Sequence, residues 1–341
     1  MSGGVDSSVA ALLLLEQGYR VVGVYMKNWS RDLPGMKCPW AEDLADAKRV
    51  AVKLGVPFEV WDFEKEYHDK VVEYMLSEFK KGNTPNPDVM CNQEIKFKLF
   101  FEKAMEAGAD FIATGHYART NNKSLLRAVD ENKDQTYFLY RISEEALEHT
   151  LFPIGGMKKP EVKKLAAEKG LHNAYKKESM GVCFVGEVGM KDFLKEYIDV
   201  EPGEIREIES DKVLGYHEGA VFYTIGQRHG LYLSGVAGEA NDGLPYYVVK
   251  KDIKNNIVYV SKNLNHEAIW TRTLKLKELF FRSGPRHSSQ VLVRLRHRAA
   301  LIPATFDGET LYFENEVKRP ASGQSAVLYD GEICLGGGII A

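Results

Sequence analysis

Residues 2–8, Ser-Gly-Gly-Val-Asp-Ser-Ser, stand directly before a run of apolar, helix-forming residues. No other feature of the chain constrains its fold as strongly. Paired glycines let backbone amides approach an anion closely. A helix starting at once aims its unpaired N–H groups and the serine hydroxyls at the same point. A phosphate loop opening a helix belongs to alternating strands and helices over a parallel sheet. The loop lacks the Gly-Lys-Ser/Thr ending of a Walker loop. The plainer alternative is a glycine-rich turn that merely caps a helix.

Hydrophobic spacing continues the alternation. Helices are expected at 9–17, 41–54, 64–81 and 93–107, and strands rich in β-branched and aromatic residues at 20–26, 57–63 and 111–114. Further helices are expected at 143–149, 159–170 and 190–197. Beyond Pro202-Gly203 short strand-like runs take over, at 221–225, 246–250, 257–261, 290–295, 304–306, 310–313, 326–329 and 333–335. The expected fold is therefore α/β: a parallel-sheet catalytic domain over 1–200, a small β domain over 201–270 and a C-terminal β-barrel-like domain over 271–341. A strand normally leads into such a loop, yet the loop opens this sequence. The reading thus expects a missing first strand and unpaired edges beside its place.

Lys and Arg number 45 against 48 Asp and Glu, a net charge of −3, which excludes a globally basic nucleic-acid binder but not local basic patches. Arg282, Arg286, Arg294, Arg296 and Arg298 share a short span without acids. Lys158, Lys159, Lys163, Lys164, Lys169, Lys176 and Lys177 form a second basic zone. Both zones are candidates for RNA phosphates. No apolar run is long enough to span a membrane, and no secretory signal is visible. Four cysteines without C-x-x-C spacing suit a reducing compartment. A cytoplasmic location is expected, or a mitochondrial one if a targeting peptide has been removed.

Two cysteines stand in special contexts. Cys91 follows Asn86-Pro87-Asp88 just ahead of the helix expected at 93–107, and Cys183 lies between glycines after Lys176 and Lys177. A helix N-terminus and nearby lysines both favour thiolate, and two such thiols could cycle between persulfide and disulfide. Cys334, in an apolar strand, reads as a small buried hydrophobe, and Cys38 leans the same way.

The string SGGVDSS resembles the PP-loop of the ATP pyrophosphatase superfamily. With it, YMKNW, NTPNPDVMCNQEIKF, ATGHYAR, NKDQTYFL, KKESMGVCFVG, YTIGQRHGL, YYVVKKD and SGQSAVLYDGEICLGGGII follow one another in the order seen in the tRNA-specific 2-thiouridylase (MnmA) family. The resemblance spans residues 2–340. It implies ATP- and Mg²⁺-dependent thiolation at C2 of the wobble uridine in tRNAs for Lys, Glu and Gln. Met1, Ser2, Gly3, Gly4, Val5, Asp6, Ser7 and Ser8 would hold the ATP phosphates, with Met26 and Gly115 against the nucleotide. Asp6 and Ser7 would lie nearest the pyrophosphate and Mg²⁺. Asn86, Pro87 and Asp88 would meet the target base. Cys183 would carry the persulfide, and Cys91 would release its sulfur or close a disulfide with it. Lys133, Asp134, Gln135, His116, Gln324 and the Arg296-His297 pair would contact tRNA; the family usually has Arg-Tyr at that last pair. Asp88, near Cys91, is a candidate proton carrier. The implied partners are tRNA and a sulfur donor, either a cysteine desulfurase or a relay protein, with the enzyme itself a monomer. Other PP-loop ligases, a catalytically impaired tRNA-binding relative, and an iron–sulfur cluster on Cys91, Cys183 and Asp88 are the competing readings.

Overall fold

A computed structural model describes residues 1–32, 38–121, 123–177, 189–231, 233, 244–282 and 289–341. The loop passes into helix α1 (Val5–Glu16), whose Val5, Val9, Ala10, Leu12 and Leu14 are buried. Strand β1 (Gly23–Lys27) pairs in parallel with β2 (Phe58–Asp62), from Gly23 opposite Phe58 to Lys27 opposite Asp62. Helix α2 (Trp40–Leu54) is the connection between them. The helical segments Glu64–Tyr67, His68–Val72 and Glu73–Lys80 run on without a break as α3, widened by a π turn in the middle. Helix α4 is likewise composite, from Pro87–Met90 through the wide Cys91–Leu99 to Phe100–Glu106. It begins six residues earlier than expected because Asn86 caps it and Pro87 takes its first position, where a missing N–H is harmless.

Strand β3 (Ile112–Ala113) pairs in parallel with the short β6 (Thr150–Leu151). The parallel strands thus form two separate pairs, and among the described residues no strand joins them. The start of the chain lies against β1: the Met1 amino group donates to the Val24 carbonyl. Between β3 and β6 come the hairpin β4 (Arg119–Asn121) and β5 (Ser124–Leu126) and the short helices α5 (Thr136–Leu139) and α6 (Glu144–Glu148). Helices α7 (Lys159–Glu168) and α8 (Met190–Lys195) complete this part.

The middle segment is a four-stranded sheet of β7 (Gly203–Glu207), β8 (Val213–His217), β9 (Tyr247–Asp252) and β10 (Ile257–Ser261), in the order β8-β7-β10-β9. Strands β7 and β8 escaped the sequence reading. The strand expected at 221–225 is instead a short 3₁₀ turn, Ala220–Phe222, which places Ala220 and Tyr223 in the sheet's core. The last part is a closed six-stranded barrel: β11 (Trp270–Phe281), β14 (Thr310–Lys318), β13 (Ile302–Phe306), β12 (Ser289–Arg294), β15 (Ser325–Asp330) and β16 (Ile333–Ile340), with β16 pairing back to β11. The long β11 was not anticipated; its alternation of lysine and threonine with Leu274 and Leu276 keeps only one face apolar.

Strand β15 shows how barrel and catalytic part are joined. Side chains alternate across a strand. Ala326 and Leu328 fill the barrel, whereas Val327 and Tyr329 pack with Phe97, Leu125, Tyr137, Leu139 and Phe152 of the first part. The β4–β5 hairpin extends the same sheet, Leu126 opposite Ile333 and Leu125 opposite Cys334.

Candidate active site

The phosphate loop is shaped by close packing. Gly3 has φ +78°, and a Cβ there would come within 2.4 Å of the Asp43 carbonyl oxygen. Gly4 is the N-cap of α1, so Asp6, Ser7 and Ser8 occupy the first turn of a twelve-residue helix. The Ser7 and Ser8 hydroxyls donate to the Gly4 carbonyl at 3.2 and 2.9 Å. Asn173 Nδ2 donates to the Gly3 carbonyl and to Ser8 Oγ, both at 2.9 Å. Gly115, two residues past β3, backs onto the loop: a Cβ there would lie 2.5 Å from the Ser7 nitrogen. Met26 sits near the end of β1, opposite Trp61. Asp6 takes the Lys159 ammonium on both carboxylate oxygens at 2.7 Å, and the Tyr117 hydroxyl donates to its Oδ1 at 3.0 Å. This set suits a nucleotide triphosphate: helix-terminal amides, a glycine cradle and one nearly buried ammonium.

Asn86, Pro87, Asp88 and Cys91 share the first turns of α4. Asn86 Oδ1 accepts from the Val89 amide at 3.4 Å. Asp88 is half-buried. Burial pushes its carboxyl above the usual range, with Lys96 acting in the opposite sense. Cys91 lies within the helix rather than ahead of it, which corrects the sequence reading. It is buried in the apolar cluster that holds Met75, Ile95 and Phe193. Cys183 lies outside the described residues. Cys38 is half-buried against the Trp29 carbonyl at 3.7 Å, and the Cys334 thiol, buried on β16, is pushed up to about 11.

His116 links the two halves of the site. It follows Gly115, and its ring lies near Phe97 and Phe152, with centroids 5.8 and 6.5 Å away. Its Nδ1 is 2.9 Å from Thr114 Oγ1 and its Nε2 is 3.5 Å from Lys96 Nζ. Burial, then the Lys96 charge, holds the imidazole well below its ordinary pKa and so neutral.

The remaining tRNA candidates lie on the segment that leads into α5 and on the connections between barrel strands. Arg296 is exposed, and the His297 ring lies on Phe138 at 4.5 Å. Burial, then Arg298 and Arg294, lower His297 to about 4, and Lys133 and Asp134 act on it as well. Tyr137, whose hydroxyl donates to the Ser325 carbonyl at 2.9 Å, feels both Asn86 and Arg296. Gln324 Nε2 donates to the Thr84 carbonyl at 3.0 Å, next to the Asn86 segment. Lys133 is half-buried, and Gln135 Oε1 accepts from the Tyr117 amide at 2.9 Å. Asp134 is different. Its buried carboxylate takes Arg294 at 2.6 Å and accepts from Thr136 and the Ala128 amide. It is a buried brace that ties the segment ahead of α5 to the barrel.

The basic zones need similar correction. Arg294 is held by Asp134, and Arg282 donates to the carbonyls of Tyr140, Ile142 and Cys334; Arg286 lies outside the described residues. Lys159 belongs to Asp6, Lys176 to Asp43 and Asp46, and Lys169 to Glu16. Sequence reasoning gave no role to Tyr117 or Lys96, and it placed Lys159 in a basic zone for RNA rather than beside Asp6. Tyr117 stood inside the quoted ATGHYAR, and Lys159 precedes a helix-starting proline, but neither signal points to its partner.

Among the described residues no helix is long and apolar enough to cross a membrane. The chain matches three family models in succession: a tRNA methyl transferase HUP domain over 1–187, a tRNA methyl transferase PRC-barrel domain over 191–262 and an aminomethyltransferase beta-barrel domain over 271–340. A HUP domain carrying this loop is an ATP-binding unit. Curated relatives named tRNA-specific 2-thiouridylase MnmA align along the whole chain. Those of Listeria welshimeri and Idiomarina loihiensis are each 46% identical, and the Shewanella amazonensis protein is 47% identical. These alignments cover 100% of this chain and 93 to 94% of each relative. With three family models matched in succession and curated relatives aligned along the whole of this chain, the chain belongs to the tRNA-specific 2-thiouridylase family.

Proposed function

We propose that this enzyme replaces the C2 oxygen of the wobble uridine with sulfur in tRNAs for Lys, Glu and Gln. One observation carries the reading. The phosphate loop and the Asp88–Cys91 helix converge on a single segment, Thr114–His116, through the Gly115 contact with Ser7 and the His116 contact with Lys96. An ATP α-phosphate and a base presented to Asn86–Asp88 would meet there, so positioning supplies much of the rate.

Uracil O2 attacks the α-phosphorus, pyrophosphate leaves, and Asp88, its carboxyl raised by burial, takes the N3 proton. Asp6 is the loop carboxylate that would hold Mg²⁺, which would supply charge neutralisation at the triphosphate. The terminal sulfur of a Cys183 persulfide then attacks C2. The C2–O bond breaks, and AMP departs with the original oxygen. Cys91 attacks the Cys183 sulfur, frees the 2-thiouridine sulfur and closes a Cys91–Cys183 disulfide, which an external dithiol reduces. The target base must leave its stack to be reached.

Residues 1–200 would do this chemistry, and residues 201–270 and 271–341 would dock the tRNA, with the enzyme acting as a monomer. Sulfur would come from a cysteine desulfurase, directly or through a relay. The test combines the chain, unmodified tRNA-Glu, Mg-ATP, a desulfurase and cysteine, with 2-thiouridine read by mass spectrometry. Product that vanishes without ATP supports the reading. Bound tRNA with neither AMP nor product, across several sulfur donors, would overturn it in favour of an inactive tRNA binder.

A further inference from the structure

Lys96 lies on α4, eight residues after Asp88 and five after Cys91. It is half-buried. Lysines in such places are normally paired. The neighbouring lysines follow that rule: Lys98 and Lys70 hold Glu94 at 3.2 and 3.3 Å, Lys159 holds Asp6, and Lys103 covers the Trp61 ring at 4.9 Å. Among the described residues no carboxylate lies within ion-pair distance of Lys96. Its hydrogen-bond contact is His116 Nε2, at 3.5 Å. Among the described residues Asp88 makes no ion pair either, although the two charges sense each other. Two half-buried groups of opposite charge that sense each other without pairing suit a third group bound beside them.

The position says what that group is. An ammonium only donates, so His116 Nε2 accepts, and Nδ1 carries the ring proton toward Thr114 Oγ1. His116 is therefore neutral and contributes no charge. The adjacent Gly115 touches the phosphate loop, where Lys159 is engaged by Asp6. Lys96 is thus the cation standing between the loop and the base-reading end of α4.

We propose that Lys96 is a phosphoryl-binding catalytic residue, its ammonium receiving the α-phosphate of the adenylated uridine and of the AMP that leaves. The inference rests on the thiolation chemistry proposed above. When sulfur bonds to C2 and the C2–O bond breaks, a singly charged phosphodiester becomes doubly charged AMP. The added charge lands on phosphate oxygens, where a preplaced ammonium in a half-buried site stabilises it.

The test is single-turnover thiolation of tRNA-Glu by the full chain and by Lys96→Met, Lys96→Arg and Lys96→Ala, with tRNA and ATP affinities and melting temperatures measured alongside. Lys96→Met should lose about 100-fold in the rate of AMP and 2-thiouridine formation, the scale for losing one preorganised donor. Its affinities for tRNA and ATP should stay within about threefold, a small change in binding free energy. Lys96→Arg should keep part of the rate, and ethylammonium should restore part of it to Lys96→Ala. A Lys96→Met rate near that of wild type would overturn the proposal. So would a loss fully accounted for by weaker tRNA binding, or one that accompanies a lowered melting temperature and resists ethylammonium. If the wild-type chain itself makes no 2-thiouridine, the functional reading fails first, which keeps the two failures apart.

Discussion

Asp88 and His297 are two titratable groups whose surroundings oppose their charge. Burial raises the Asp88 carboxyl, so the native chain holds that proton more tightly than the unfolded one. Its contribution to stability is complete below the unfolded pKa and is lost as pH rises through the raised one. Asp88→Asn should therefore unfold in urea at the same or a higher midpoint at pH 8 while thiolation collapses; a clearly lowered midpoint would show that the carboxylate is stabilising. His297 has the opposite response to pH. Held at about 4 by burial and by Arg298 and Arg294, it stays neutral in the fold while the unfolded chain protonates near the ordinary value. Stability should fall as pH drops from about 6.5 toward 4. His297→Tyr, which keeps a ring over Phe138 and cannot protonate, should flatten that decline in melting temperature.

At the scale of elements, function depends on where ends meet. The end of β3 runs into Thr114–His116, α1 begins at Val5, and the two touch at Gly115 and Ser7. Gly115→Ala would drive a methyl group to 2.5 Å from the Ser7 nitrogen and 2.7 Å from the Asp6 carbonyl carbon, so the loop must move. The expected result is lost ATP binding by calorimetry with tRNA affinity retained. Unchanged ATP affinity would mean that the loop has room to shift. Much of this level was legible in the sequence, because glycine pairs, helix caps and hydrophobic periods act over a few residues. The β4–β5 hairpin was not: its strands of three residues each are too short to carry a period, and they are stabilised by pairing with β16 far along the chain.

At the scale of the whole molecule, the catalytic part and the barrel behave as one folded body, because Val327 and Tyr329 belong to the first part's core. Through that interface runs the buried Asp134–Arg294 pair, with Arg127 a further 3.8 Å contact on the carboxylate. Removing one partner of a buried ion pair strands the other, at about 3–5 kcal/mol. Asp134→Ala should lower urea stability by that amount and weaken tRNA binding only in step with unfolding. A mutant of full stability with lost tRNA binding would instead make Asp134 an RNA contact.

The sequence by itself determined the phosphate loop, the alternation of the first part and the change to β structure near residue 200, all set by local backbone conformation and short-range periodicity. Tertiary structure alone decided which charges became machinery and which became scaffold. Lys159 and Asp6 are 153 residues apart and Arg294 and Asp134 are 160 apart, and nothing local marks either pair. Lys96 reads as one more surface lysine of an amphipathic helix. It acquires its meaning only when folding brings His116 to its ammonium and, among the described residues, no carboxylate with it, since a charge is defined by its neighbours and those are assembled by the fold.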